Sequence, residues 1–567
     1  MRRLRLAALG LTAILAAATY LHGLGSPHIP KNGDEYPYTH ITRLTAASGA
    51  FLPLRSEIPG VRNTKPPLLF WQGILSTDWG RSFDLWSLRG PSVLYTFLTS
   101  LLVLLLGRRL TGDTETGLVA ALAFLGFFTT YRYGRPFLTN APEVFWLFVP
   151  FFTLLYWRPA SFASRAVVPG GMGVALGLGL LYKSFALAAP VGLGLGLWYW
   201  HPREERRRRA FLEEDLPKVA LTLAISLAIF GTWFVLDPDP RAVWDEFVVG
   251  ENLGKFDLAG SYLPGLVWGR FSLPSLALGS LLNAGLLVLP VAALVVSSWR
   301  GRRRLNDAER LLWIWVLTLF VVHCVPSQRS SRYLLPAMPA VAVLLALHWP
   351  RIRRGVLAFT LLLAALPLVA MAGLSAALHD ALPGPPPYGP GHWALLALSG
   401  GVLLVALLAP SLTRVGVLAG VPLVLLSFSS LLRPLDGPRG RYDARAQAAV
   451  TGRDVWVPVD FIGKEEGYRF LLPGARVHGY RDERGLSVAA LLERHPRVAV
   501  RLRPGEPLGP EARVLGERLD VRGRHRDDEI LEMLAGRVFE HLFVREVLLE
   551  RPGVAPGTTA DVETRPR

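Results

Sequence analysis

Apolar residues in this chain are gathered into blocks of about 15 to 22, separated by short charged links. Thirteen such blocks can be traced, the first at 6–22 and the last at 414–432. A helix rises about 1.5 Å per residue, so about 20 apolar residues cross the hydrocarbon of a bilayer. The expected fold is therefore a polytopic α-helical membrane protein with about thirteen transmembrane helices over residues 1–432. Blocks 143–157 and 170–182 are short for a crossing and are expected to be shielded by neighbours.

After Leu432 the character changes. Residues 433–567 carry 24 Lys and Arg against 22 Asp and Glu, so most of the overall charge of +17 lies in the membrane half. There it sits in tight clusters between apolar blocks, "MRRLR", "GRRL", "HPREERRRR", "WRGRRR" and "PRIRR". Alternate links carry them, as expected of cytoplasmic loops. Nucleic-acid binding needs a basic face on a soluble domain. The polar region is nearly neutral, so no nucleic-acid partner is expected.

With the N-terminus inside, thirteen crossings put the C-terminal region on the extracytoplasmic side, in the periplasm if the cell has two membranes. The expected location is the inner (plasma) membrane. The first block has the basic start of a signal peptide. Its apolar run continues past the small residues Ala16 to Ala18, which suits a retained anchor. The single cysteine, Cys324, excludes an intrachain disulfide and a multi-cysteine metal site.

The outer links are unequal. The first spans about 23–90, and within it 38–49 and 67–76 are expected as short amphipathic helices, Pro66-Pro67 suiting a helix start. The segment 433–550 shows β-like runs at 454–461, 476–480, 497–503 and 542–550. Helical stretches, "GLSVAALLERH" and "RDDEILEMLAGR", alternate with them. A small α/β domain is expected there, followed by a disordered tail at 551–567. The "GLGLGLW" run is read as helix packing rather than phosphate binding.

The chemistry concentrates on the first outer link. Asp34 and Glu35 stand side by side near a membrane boundary, where an ionised carboxylate is costly and its default reading is functional. The bland alternative is a helix cap, with Asp34 capping a helix that starts near Tyr36. The same link carries "RNTKPPLLFWQ", with Arg62, Lys65 and Trp71. Cations there suit neutralising a phosphate, and a carboxylate suits a base or an acceptor-orienting group.

These residues resemble a known family. Asp34-Glu35 followed by Tyr38, Arg43 and "KPPLLFW" is similar to the first outer loop of the aminoarabinose transferase and protein O-mannosyltransferase group. These are polytopic GT-C glycosyltransferases. "LLGRRLTGDTETGLVAALAF", "GRPFLTNAP", "LYKS" and "SRYLLPAMPA" follow in the family's order. The resemblance implies transfer of a sugar from a polyprenyl-phosphate carrier to a lipid, protein or glycan acceptor at the outer face. It implies Asp34 as catalytic carboxylate with Glu35 in support, and Lys65 on the carrier phosphate. Asn140 or Glu143 stands where the second outer loop supplies an acid. Arg132, Arg135, Lys183, Arg329 and Arg332 lie on outer links or span ends. The substrate- and phosphate-binding candidates are Lys65, Arg62, Tyr38, Arg43, Arg135, Asn140, Glu143, Lys183, Arg332 and Tyr333.

Three positions depart from the pattern. Thr64 replaces a Glu before the Lys, Pro37 replaces an Arg, and "TNAP" stands for "TDMP". They argue against the specific aminoarabinose substrate and leave the general reaction standing. The replaced Glu helps hold a metal in some members, so no metal is expected here. The rival readings are a transporter or flippase of a lipid-linked sugar, and an assembly subunit with a decayed site.

Overall fold

The structure is a computed structural model that describes residues 2–29, 33–56, 65–200, 208–255, 262–301, 305–382, 384–459, 463–481, 487–503, 508, 512–522 and 525–552. Arg62, Thr64 and most of the predicted tail lie outside the described residues. The chain forms two compact units. The first comprises Met1–Leu24, Ile41–Pro367 and Leu398–Leu426. The second comprises Gly25–His40, Leu368–Ala397 and Ser427–Arg567.

Every predicted apolar block is helical. Among the described residues, seven helices are long and apolar enough on their own to cross a membrane, from Arg2–Leu21 to Thr413–Leu431. Blocks 117–131, 170–182 and 184–199 form the shorter apolar helices Thr114–Gly126, Val167–Tyr182 and Phe185–Trp200. Block 274–298 is not one straight helix. It breaks into Leu273–Leu282 and Gly285–Arg300, bent by 101°. The cause lies at Asn283 and Gly285. Asn283 donates its amide to the Ser331 carbonyl at 2.9 Å, and Gly285 adopts a left-handed φ of 58°, open to glycine at little cost.

In the first unit, helices approach closely where glycine removes the side chain. A Cβ on Gly177 of the Val167–Tyr182 helix would lie 2.7 Å from Ile229 Cβ on the Leu216–Leu236 helix. Gly194, in the "GLGLGLW" run, is similarly pressed on Phe151. Packing of small residues is the main adhesive between helices in lipid, where burial of apolar surface supplies little.

The second unit holds a five-stranded sheet: β1 (Asp454–Val459), β2 (Arg476–Arg481), β3 (Arg497–Leu502), β4 (Arg513–Val521) and β5 (Phe543–Glu550). Its order is β2-β1-β3-β5-β4. β1 is parallel to β2 and β3, and β5 is antiparallel to β3 and β4. The predicted helices appear as Val488–Arg494 and Asp527–Leu534. Under the sheet, Glu546 is fully buried. It accepts from Tyr442 Oη at 2.9 Å, Tyr468 Oη at 2.6 Å and Arg518 Nε at 2.7 Å. Burial and the Glu546 charge raise both phenols far above their ordinary range, which keeps them protonated and donating.

The Gly25–His40 segment belongs to this second unit. Tyr36 Oη donates to the Pro27 carbonyl at 2.8 Å. His40 Nδ1 lies 3.2 Å from Glu466 Oε2. Gly463 and Gly467 are pressed against Pro37 and Tyr36, leaving no room for a Cβ.

Candidate functional site

In the first unit, four of the predicted residues meet. The Asn140–Tyr156 helix begins after "GRPFLT", with Pro142 in its first turn, where a missing N–H costs nothing. This places Asn140 and Glu143 one turn apart on the same helix face. Both are buried. The Asn140 carbonyl oxygen accepts from Arg332 Nη2 at 2.9 Å and Nε at 3.3 Å. Its amide donates to Glu143 Oε2 at 3.5 Å.

The same carboxylate accepts from Lys183 Nζ at 3.1 Å. Lys183 is there because the chain unwinds. The Val167–Tyr182 helix ends at Tyr182, and Lys183 leaves helical geometry with φ −135° and ψ −68°. Ser184 then caps the next turn, its Oγ accepting from the Ala186 amide at 3.2 Å, while its hydroxyl donates to Asn252 Oδ1 at 2.8 Å. Irregular backbone between apolar helices is tolerated where it lines a polar cavity.

Aromatic rings support the two cations. Arg332 lies over the Tyr133 ring at 4.9 Å and Lys183 over Tyr333 at 5.7 Å, distances at which the ring quadrupole attracts a cation. Lys65 and Arg332 are both close enough to Lys183 to repel it electrostatically. Lys65 is half-exposed and pairs with Glu251 at 2.5 Å. The region thus gathers three cations against two carboxylates, Glu143 and Glu251, a net positive arrangement suited to receiving an anion such as a phosphate.

Two other predicted cations have different duties. Arg135 is fully buried. It donates to the carbonyls of Tyr20 and His22, capping the end of the Arg2–Leu21 helix, and lies 4.6 Å over Tyr131. Arg329 is buried and donates to the carbonyls of Cys324 at 2.7 Å and Phe271 at 3.1 Å. Arg43 is half-buried on the Glu35–Ala47 helix, and Arg132 is exposed against Tyr133.

In the second unit, Asp34 is exposed and directly precedes the Glu35–Ala47 helix, one residue earlier than the start expected near Tyr36. Glu35 is fully buried and Tyr38 half-buried. Among the described residues, no three His, Cys, Asp or Glu side chains gather as a metal-holding group.

Sequence reasoning missed Tyr133, Glu251 and Gln72. Tyr133 was signalled by its place between Arg132 and Arg135, and Glu251 by the charged segment between the Leu216–Leu236 and Leu273–Leu282 helices. Gln72 Oε1 accepts from Tyr182 Oη at 2.8 Å, and its buried Nε2 finds no partner among the described residues.

Residues 64–235 match the family described as dolichyl-phosphate-mannose-protein mannosyltransferase. The chain is similar to undecaprenyl phosphate-alpha-4-amino-4-deoxy-L-arabinose arabinosyl transferase 1 of Sodalis glossinidius. Identity is 28% over 352 residues, covering 60% of this chain and 58% of that protein. It is also similar to the corresponding transferase of Edwardsiella ictaluri, 27% identical over 317 residues, 55% of this chain and 54% of the relative. The chain spans little more than half the length of these curated relatives. Its fold is similar to the crystal structure of ArnT from Cupriavidus metallidurans bound to undecaprenyl phosphate. That likeness has a TM-score of 0.60 and 17% identity, and covers 95% of this chain and 97% of the other. The chain is thus a multi-pass membrane protein with a fold similar to that of the ArnT structure, and its residues 64–235 resemble the mannosyltransferase family.

Proposed function

We propose that the protein is a glycosyltransferase that takes a sugar from a polyprenyl-phosphate donor and passes it to a lipid, protein or glycan acceptor. The observation that carries the reading is the Lys183–Glu143–Asn140–Arg332 cluster, with Lys65 in electrostatic reach. The relatives support an undecaprenyl-phosphate-linked sugar as donor, since their names specify that carrier. They are named as transferases, so neither transport nor a decayed assembly role is favoured. The proposed setting is the inner membrane, with the site and the C-terminal sheet domain on the periplasmic face, following the alternation of basic clusters.

The chemistry follows from the donor. An isoprenoid tail stays in the bilayer, so its phosphate lies at the interface. The acceptor oxygen attacks the anomeric carbon, and the bond from that carbon to the phosphate oxygen breaks. The released phosphate gains charge, which Lys65, Lys183 and Arg332 stabilise. Before the donor binds, Glu143 pairs with Lys183, Glu251 pairs with Lys65 and Asn140 fixes the Arg332 plane, so little reorganisation is needed. Asp34 is the proposed base that takes the proton of a hydroxyl acceptor, with Glu35 in support. Arg62, Tyr38, Arg43 and Tyr333 complete the proposed substrate contacts, and no metal is required of these residues.

The test is purified protein in liposomes, offered a panel of radiolabelled polyprenyl-phosphate sugars with envelope acceptors. Label appearing on an acceptor with release of polyprenyl phosphate is the expected result. Movement of intact donor across the bilayer without transfer would replace this reading with transport.

A further inference from the structure

A second cavity lies elsewhere in the first unit, among residues with no part in the cluster above. Its volume is about 900 Å³. One wall is the Val288–Arg300 helix, the opposite wall is the start of the Arg354–Ala381 helix, and Glu309 and His348 close the floor. The walls are apolar, formed by Leu289, Val296, Val356 and Phe359. Val296 and Phe359 are 49% and 59% exposed, so the greasy wall continues onto the outer surface of the helices. The mouth carries Arg300, Arg351 and Arg353. All three are exposed, and among the described residues none of them pairs with a carboxylate. Trp299, 69% exposed beside Arg300, is the kind of residue that sits at a membrane–water boundary.

The acid of the floor is already hydrogen-bonded. Glu309 is buried and is the acid of the lining. Its Oε1 lies 2.9 Å from His348 Nε2, and its Oε2 accepts from the Asn306 amide at 3.0 Å. Its charge is therefore engaged inward. Ser298 also lines the cavity, and its buried Oγ has no partner among the described residues.

We infer that this cavity binds one anionic glycerophospholipid, its phosphate held at the arginine mouth and its acyl chains along Val296 and Phe359. A soluble phosphate compound would satisfy the arginines and leave the continuous apolar wall uncovered. A neutral lipid would cover the wall and leave three cations unbalanced. Basic pockets between membrane helices are a recurring solution for acidic headgroups.

The full-length protein in detergent is titrated with phosphatidylglycerol, with phosphatidylcholine of the same chains, and with inorganic phosphate, and bound lipid is counted by native mass spectrometry. One equivalent of phosphatidylglycerol is expected to be retained in preference to phosphatidylcholine. Each arginine near an anionic headgroup contributes about fivefold in affinity, so Arg351→Gln with Arg353→Gln should weaken retention about 25-fold. Val356→Trp, which narrows the apolar wall and leaves the charges, should also weaken it. Equal retention of the two lipids overturns the inference, as does unchanged retention in either variant. Displacement of the lipid by millimolar inorganic phosphate also overturns it, since the mouth alone would then account for binding.

Discussion

Lys183 Nζ lies 3.1 Å from Glu143 Oε2, and Asn140, one turn from Glu143, holds Arg332 by its carbonyl oxygen. A single buried carboxylate thus restrains one cation directly and another through a neutral amide. Glu143→Gln keeps the shape and leaves Lys183 and Arg332 uncompensated. Breaking a buried pair costs about 3–5 kcal/mol, and the partial exposure of Lys183 favours the lower end. Thermal unfolding in detergent should show the loss, and Lys183→Met added to Glu143→Gln should restore most of it without restoring sugar transfer. Full activity in the repaired double variant would reduce the cluster to scaffolding.

Lys65 is half-exposed, and its partner Glu251 is similarly accessible. Exposed pairs contribute about 0–1 kcal/mol, so Lys65→Ala should leave stability nearly unchanged. A contact to a phosphate in a partly dry site is worth about 1.5–3 kcal/mol. The loss in kcat/KM should then be about tenfold to a hundredfold. Near-normal transfer would make Lys65 a surface residue.

Glu546 organises the sheet domain. Glu546→Gln leaves the buried Arg518 with only the more distant Asp520 carboxylate, at 3.8 Å, and should cost about 1–3 kcal/mol. Hydrogen exchange in the full chain should lose protection across β3, β4 and β5 together. Loss confined to β5 would show that the network is not shared.

The sheet also carries a pH signature. The Arg526 amide, donating at 3.0 Å, and the Arg522 guanidinium, at 3.0 Å, hold the Glu529 carboxyl at about 2, below its ordinary 4.5. A carboxyl depressed on folding contributes stability that is complete above about 4.5 and fades as pH falls towards 2. Exchange protection of the Asp527–Leu534 helix should decline over that window. In Glu529→Gln this part of the pH dependence should vanish, and an identical profile in the variant would remove Glu529 from the acid response.

What was legible in the sequence follows from period and length. The apolar blocks became helices because a lipid-facing backbone must satisfy its own hydrogen bonds. Four strands were readable from β-branched runs. β4 was not, because "RVLGERLDV" is charged and sits at the sheet edge, where charge discourages further pairing. The break at Asn283 was missed because the apolar run continues across it. Asn140, Glu143, Lys183 and Arg332 were each identifiable as polar residues at span ends. Their partnership was not, since it depends on how four separate segments pack. Arg135 shows the converse: its residue type suits a phosphate, but two helix-end carbonyls occupy it.

Asp34 and Glu35 can now be separated. Glu35 is fully buried at the first position of its helix, while Asp34 is exposed just before it. Glu35→Gln acts on a buried group and should lower stability by about 1–3 kcal/mol. Asp34→Asn should leave stability unchanged, because Asn caps a helix as well as Asp does. If Asp34 is the base, the same substitution removes the proton-accepting charge and should slow transfer by about 10²–10⁴-fold. The decisive measurement is sugar transfer by folded, membrane-inserted Asp34→Asn beside wild type, with unfolding temperatures for both. Unchanged unfolding with a loss in that range assigns Asp34 to the reaction. Unchanged unfolding with a loss well below a hundredfold leaves it a helix cap and moves the search for a base to Glu35. A transfer rate that falls in Glu35→Gln more than its lost stability explains would then place the proton on the buried carboxylate.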